Sequence, residues 1–335
     1  MVFYSDNTAA IHPKVLSRLE RANAERYAPS YGVDDLSRSV TRRLADCFGA
    51  GLAQFTSTGT GANVLGLAAL GVEGGLIACP AIAHLRLDEE RAVERALGCE
   101  IIPIETVDGL ITPSQVQRAA DIGPLAAVAI SITTENGRVF PAERIEALAR
   151  ISHEVGAGFH VDGARLANAI ARGVGIPTKE FFTLGIDTLT FSGTKNGALS
   201  AEVVLVRDGL TTEQRLAALA RSCGQLQSKA RFVAAQFEAL LDDDLWITNA
   251  THANAAAREV AGILRQNGHE VLYEIDANEV FATLPRSLAD HFLEQGVAER
   301  WDMEGTTRFV TSYLTDAGDL ADLDHLLQMA GPTDR

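Results

Sequence analysis

Lys195 is the one charged residue in TFSGTKNGAL, residues 190–199, where a strand-like run gives way to small polar residues. An amine in such a place is either a snorkelling surface lysine or a group held against an electrophilic cofactor for Schiff-base chemistry. Ser192, Gly193 and Thr194 favour the second reading, because they bring donors and close backbone access beside the amine. About thirty residues upstream, FHVDGARLANAI (159–170) sets Asp162 and Arg165 at the end of another apolar strand, with Gly163 allowing a turn into the next helix. Ligands of open α/β sheets sit outside the carboxyl ends of the strands, where this pair would project. A mutual ion pair, or a helix cap made by Asp162, is the plainer alternative. His160 reads as a packed core histidine.

About a hundred residues before Asp162, FTSTGTGANVLGLAAL (55–70) places Ser57, Thr58, Gly59, Thr60 and Gly61 where a loop enters an apolar helix. Hydroxyls and free amides at a helix N-terminus suit a phosphate, although they also make an ordinary cap. The same stretch misses the dinucleotide fingerprint G-x-G-x-x-G/A, since Val64 stands at the third glycine position and no acid ends the strand-like GGLIACP, so a nicotinamide cofactor is disfavoured. Taken as a series, the three motifs match the needs of pyridoxal 5′-phosphate: a helix N-terminus for the phosphate, a carboxylate for the ring nitrogen, and a lysine for the aldehyde.

The elements that must position these residues follow an α/β pattern. AAVAISIT (126–133), GFHVDGA (158–164), DTLTFSG (187–193) and AEVVLVRD (201–208) read as strands, and PAERIEALARISHEVG (141–156) as an amphipathic helix with proline in its first turn. Alternation of this kind predicts a mostly parallel sheet covered by helices. From Ser228 a long helical stretch runs to about residue 268, followed by strand, strand, helix, strand, helix in HEVLYEI, NEVFATL, SLADHFLEQG, TTRFVTSY and DLADLDHLLQMA. The predicted division is therefore a large domain with its amino-terminal segment over 1–247 and a smaller α+β domain over 248–335.

Composition narrows the function classes. With 29 basic and 44 acidic residues the 335-residue chain carries a formal charge of −15 and no basic run, which disfavours nucleic acid and anionic membrane surfaces. Neither a secretory signal nor an apolar run of membrane-spanning length is visible, so a cytoplasmic protein is expected. Cys47, Cys79, Cys99 and Cys223 are widely spaced, outside any zinc or disulfide pattern, and read as buried thiols; no metal site is expected.

The chain resembles the threonine aldolase and β-eliminating lyase group of pyridoxal-phosphate enzymes, of aspartate-aminotransferase-like fold, and within it the bacterial low-specificity L-threonine aldolases. The motifs that carry the resemblance are SDNT (5–8), YGVDD (31–35), STGTGAN (57–63), AHLRLDE (83–89), HVDGARLANA (160–169), FSGTKNG (191–197), SKARFVAAQFEALL (228–241) and TRFVTSYLT (307–315). The resemblance implies a seven-stranded sheet, a carbon–carbon lyase acting on a small amino acid, and roles for particular residues. Lys195 would hold the cofactor aldehyde and Asp162 its ring nitrogen, while Ser57, Thr58, Gly59 and Thr60 would hold the phosphate. His84 would stack on the ring and sit near the substrate hydroxyl, and Arg165 and Arg308, with Ser5, would bind the substrate carboxylate. It further implies a homo-oligomer, a dimer or a homotetramer built as a dimer of dimers, with sites between subunits that Tyr31 and Lys229 reach. β-Elimination or transamination with the same cofactor, or a non-catalytic relative, are the alternatives. CPAIAH and DEERAVERALG, around and after His84, depart from the pattern of related sequences at the aldehyde side of the pocket.

Overall fold

A computed structural model describes residues 1–302 and 305–330. Seven strands, β1 (Leu52–Thr56), β2 (Leu76–Pro80), β3 (Glu100–Ile104), β4 (Leu125–Ser131), β5 (Gly158–Asp162), β6 (Thr188–Ser192) and β7 (Glu202–Val206), form one sheet in the order β1-β7-β6-β5-β4-β2-β3. β7 runs against both its neighbours, whereas the β6 to β3 side of the sheet is parallel. This is the predicted α/β sheet. Its strands are apolar in succession because helices cover both faces: Val128 and Ile130 of β4 enter one apolar cluster, Ala127 and Ala129 another. The first cluster holds the aromatic contacts of Phe48, Phe191 and Trp246, with ring centroids 5.2–5.7 Å apart.

The helix Gly59–Ala69 lies on the opposite face and is buried nearly all round, consistent with its lack of a polar stripe. It rests directly on β5. A Cβ at Gly66 would come within 2.6 Å of the His160 ring, so only glycine lets the helix axis approach this closely. That contact sets the helix N-terminus over the carboxyl ends of β5 and β6.

A second, antiparallel sheet has the order β10-β11-β9-β8, from β8 (Glu270–Val271), β9 (Glu279–Thr283), β10 (Glu299–Arg300) and β11 (Thr306–Val310). Phe3 packs in its apolar cluster, and the Phe3 backbone bonds to Val297 and Val310, so the amino-terminal segment is stitched to this sheet. The long helix Leu245–Gln266 serves both clusters: Leu245, Trp246 and Ala250 enter the first, Ala257, Val260 and Leu264 the second. A division at 247/248 thus falls inside one continuous helix.

Several local expectations change. Pro141 is the N-cap of the helix Ala142–Glu154 rather than part of its first turn. The stretch read as one long helix is two, Arg231–Leu241 and Leu245–Gln266, broken at Asp242–Asp244, where Asp243 and Asp244 take positive φ. HEVLYEI contributes only two strand residues, and the pair Glu299–Arg300 adds a strand that was not foreseen. Of the cysteines, Cys79 and Cys99 are buried while Cys47 and Cys223 are only partly so. Burial pushes the Cys79 thiol up to about 12, so it stays an unreactive packing group.

Candidate active site

One cavity of about 500 Å³ opens at the carboxyl ends of β4, β5 and β6. Ser5, Ser57, Thr58, Gly59, Thr60, His84, Asp162, Arg165, Lys195 and Arg308 all line it, although they come from six separate stretches of chain. Tyr31 and Lys229 do not. They sit together on the surface, both exposed, joined by the Tyr31 N–H to Ser228 O bond of 2.9 Å.

At the helix end of the cavity, Thr58 caps by accepting the Gly61 N–H at 3.0 Å. The Gly59 and Thr60 amides precede any intrahelical acceptor and bond to no protein group among the described residues. A Cβ at Gly59 would meet nothing within 4 Å, so the space above these amides is open. Amides, dipole and adjacent hydroxyls together make an anion cradle.

The floor is Asp162, 6 % exposed. Its Oδ2 accepts from Asn63 Nδ2 at 2.8 Å and its Oδ1 from the Ala164 N–H at 2.8 Å. Asp162 therefore makes no ion pair with Arg165, the alternative that the sequence left open. His160 is fully buried, as a core histidine should be, but it is also hydrogen-bonded at both ring nitrogens, to Thr188 and Asn63. Burial drives its pKa down to about 4 against the pull of Asp162, and the ring is neutral near neutral pH.

Lys195 lies in the short 3₁₀ turn Thr194–Asn196 that links β6 to β7, and forms no hydrogen bond or ion pair among the described residues. Beside it is an acid that sequence reasoning missed. Glu202, at the start of β7, accepts from Ser192 Oγ at 2.8 Å and from Thr194 Oγ1, and burial raises its pKa to about 7 despite those donors. Glu135 is a second missed acid: it accepts the His84 N–H at 2.7 Å and Ser131 Oγ–H at 2.8 Å, and burial again raises it to about 7.

His84 opens a short helix after β2, with its ring half exposed to the cavity and Nδ1 3.0 Å from Glu89 Oε1. The hydrogen bond to Glu89 raises the His84 pKa against the effect of burial. Nδ1–H donating to Glu89 leaves Nε2 as the proton-accepting nitrogen. Glu89 follows His84 by five residues inside AHLRLDE, so a carboxylate near the histidine was legible, though its hydrogen bond was not.

At the far wall, Arg165 binds Asp6 through Nε (2.8 Å) and Nη2 (3.1 Å), while its Nη1 lies 3.3 Å from Glu279. Burial opposes the Arg165 charge, but Asp6 and Glu279 outweigh it and raise its pKa. Arg308 meets Glu279 at 3.5 Å, binds Glu299, and lies over the Trp301 ring at 4.9 Å. None of Asp6, Glu279, Glu299 or Trp301 was singled out from sequence; Asp6 alone carried a signal, standing next to Ser5 in SDNT.

Sheet and cavity together define an α/β enzyme of the aspartate-aminotransferase-like architecture, its site at the carboxyl ends of the parallel strands. The chain belongs to the β-eliminating lyase family, whose model matches residues 3–286. It is 31% identical over 328 residues to the low specificity L-threonine aldolase of Pseudomonas aeruginosa, covering 94% of this chain and 93% of that one. A low specificity L-threonine aldolase of a Pseudomonas species is 29% identical, with 96% and 95% covered. Among solved structures, threonine aldolase from Leishmania major superposes with a TM-score of 0.89 at 23% identity, covering 98% of this chain and 99% of that one.

Proposed function

We propose that this protein is a pyridoxal-phosphate-dependent carbon–carbon lyase that cleaves L-threonine, L-allo-threonine and related 3-hydroxy amino acids to glycine and an aldehyde. The observation that carries the reading is the content of the single cavity: amine, buried carboxylate, anion cradle, paired arginines and a carboxylate-held histidine. The residues present fit the cofactor, because the Gly59 and Thr60 amides and the Lys195 amine meet at this cavity without protein partners among the described residues. Family membership and the names of the Pseudomonas relatives support the same reaction.

In this reading Ser57, Thr58, Gly59 and Thr60 hold the phosphate, Asp162 the ring nitrogen, and Lys195 the aldehyde. Bound there, the cofactor supplies an electron sink for the pair left on Cα when the Cα–Cβ bond breaks. Arg165 and Arg308, with Ser5, fix the substrate carboxylate so that the breaking bond is held in one orientation. His84 Nε2 takes the proton from the β-hydroxyl as its oxygen becomes the carbonyl of the departing aldehyde, directly or through a water. Glu89 holds the ring in the tautomer this needs and steadies the positive charge it gains. A neutral His84 is required, so cleavage falls with decreasing pH along a limb placed above the ordinary histidine value.

The reading includes a cytoplasmic homo-oligomer, a dimer or a tetramer of paired dimers, in which Tyr31 and Lys229 reach a neighbouring cavity. Exposure of Tyr27 (84%), Tyr31 (47%) and Val33 (50%) on one stretch supports a covered surface there. Among the described residues no helix is long and apolar enough to cross a membrane. Initial rates with threonine, allo-threonine, serine and phenylserine, each with its products identified, test the reaction. Glycine with the matching aldehyde is expected; ammonia with the 2-oxo acid of the same carbon skeleton, in place of glycine, would overturn it.

A further inference from the structure

We infer that Asn63 is a positioning residue that ties the ring-nitrogen carboxylate and the histidine base into one hydrogen-bonded unit, an inference that rests on the function proposed above. Asn63 lies in the second turn of the helix Gly59–Ala69 and is 2% exposed. Its Nδ2 donates to Asp162 Oδ2 at 2.8 Å and to Glu89 Oε1 at 2.9 Å, using both amide protons on two carboxylates from different segments. Since those oxygens can only accept, the amide must face them with its nitrogen. Its Oδ1 is then turned toward His160 Nε2 at 3.1 Å, which must carry the proton, and His160 Nδ1 accepts from Thr188 Oγ1 at 2.9 Å. A neutral, buried His160 thus fixes the orientation of Asn63 from behind. The line Thr188, His160, Asn63 ends on Asp162 at one branch and on Glu89 and His84 at the other.

The consequence is electrostatic as well as geometric. Asp162 and Glu89 are both buried, and neither touches a cation among the described residues apart from the His84 ring that faces Glu89. A shared neutral donor gives each of them a hydrogen bond in place of the water that burial removes. His84 itself faces Glu89 on its own segment and Glu135, Asp162 and Lys195 from the others.

The test uses the holoenzyme of wild type, Asn63→Leu and Thr188→Val, with three readouts: cofactor dissociation constant, the acid limb of kcat/KM for threonine, and thermal midpoint. Leucine keeps the bulk and removes both donated protons. We expect cofactor binding weaker by about tenfold to a hundredfold, the range for hydrogen bonds to charged groups. Asn63 Nδ2 and His84 Nδ1 share Glu89 Oε1, so without the Asn63 donor that oxygen is left to the His84 ring alone, which favours the protonated ring and moves the acid limb up by about half to one pH unit. Thr188→Val lies far from both carboxylates and should move both readouts in the same directions, by about twofold to fivefold in affinity. A merely structural residue would lower the thermal midpoint and leave affinity and limb in place; that result, or movement of only one of the two, overturns the inference. If Asn63→Leu does not fold, Thr188→Val with both readouts at wild-type values does so. Cofactor affinity needs no threonine, so a wild-type protein that binds cofactor but releases no glycine would sink the proposed reaction while the affinity arm still decides the role of Asn63.

Discussion

The two ends of the cavity are built on opposite principles. At the helix and β6 end, the protein leaves its ligand-facing groups without protein partners: the Gly59 and Thr60 amides and the Lys195 amine. At the far wall, both guanidiniums already face carboxylates, Arg165 those of Asp6 and Glu279, Arg308 those of Glu279 and Glu299, with the buried Arg308 Nε left without a hydrogen-bond partner among the described residues. Two cations there face three carboxylates. A ligand at the first end gains interactions the folded chain cannot supply, whereas a carboxylate at the second competes with carboxylates already beside both arginines, which discounts its affinity. Under the proposed assignment the first end would hold the cofactor tenaciously and the second would exchange substrate, which suits a group that stays and one that turns over.

Four substitutions separate the ends, in order of decreasing effect. Lys195→Ala should abolish both covalent cofactor and turnover, checked by the visible absorbance of the purified protein and by glycine release; persistence of either would refute its role. At the far wall, Arg308→Leu should raise KM by about a hundredfold through loss of a charge-assisted contact, with a smaller effect on kcat. Arg165→Leu should additionally cost about 3 to 5 kcal/mol in stability, because it strands the buried Asp6 and Glu279. Steady-state kinetics beside denaturant unfolding would distinguish the two arginines. His84→Phe should keep the cofactor and slow cleavage by about a hundredfold, the lower range for one acid–base group; normal turnover would reduce His84 to a packing residue.

The smallest effect concerns Glu202. Burial pushes its carboxyl up to about 7 from the ordinary carboxylate range, so the folded state holds a proton that the unfolded chain has released. The stability this neutral carboxyl contributes is complete below the unfolded value and is lost as pH rises through about 7. Glu202→Gln should therefore match wild type near pH 5 and exceed it near pH 8, by about 1 to 3 kcal/mol. Denaturant curves at the two pH values check the sign. Equal stability at both would place Glu202 in a wetter setting than its burial implies.

Much of this was legible in the amino-acid order because the relevant physics is local. An apolar strand that ends in Asp162 or leads to Lys195, and a Ser-Thr-Gly turn that opens a helix, carry their meaning within a few residues: strand ends, helix amides and small residues have the same chemistry wherever the chain later places them. The sheet was equally readable, since continuous apolar runs between amphipathic helices have few other ways to be covered. What sequence could not provide was partnership. Glu135, Glu202 and Glu279 look like any other acids in the chain, and only packing turned them into buried carboxyls beside a histidine, a lysine and two arginines. Asn63 stood in plain view inside STGTGAN, yet its contacts lie 26, 97 and 99 residues away. Hydrogen bonds and burial over such separations are properties of the fold, fixed by how closely the helix can lie on β5, and no spacing rule along the chain encodes them.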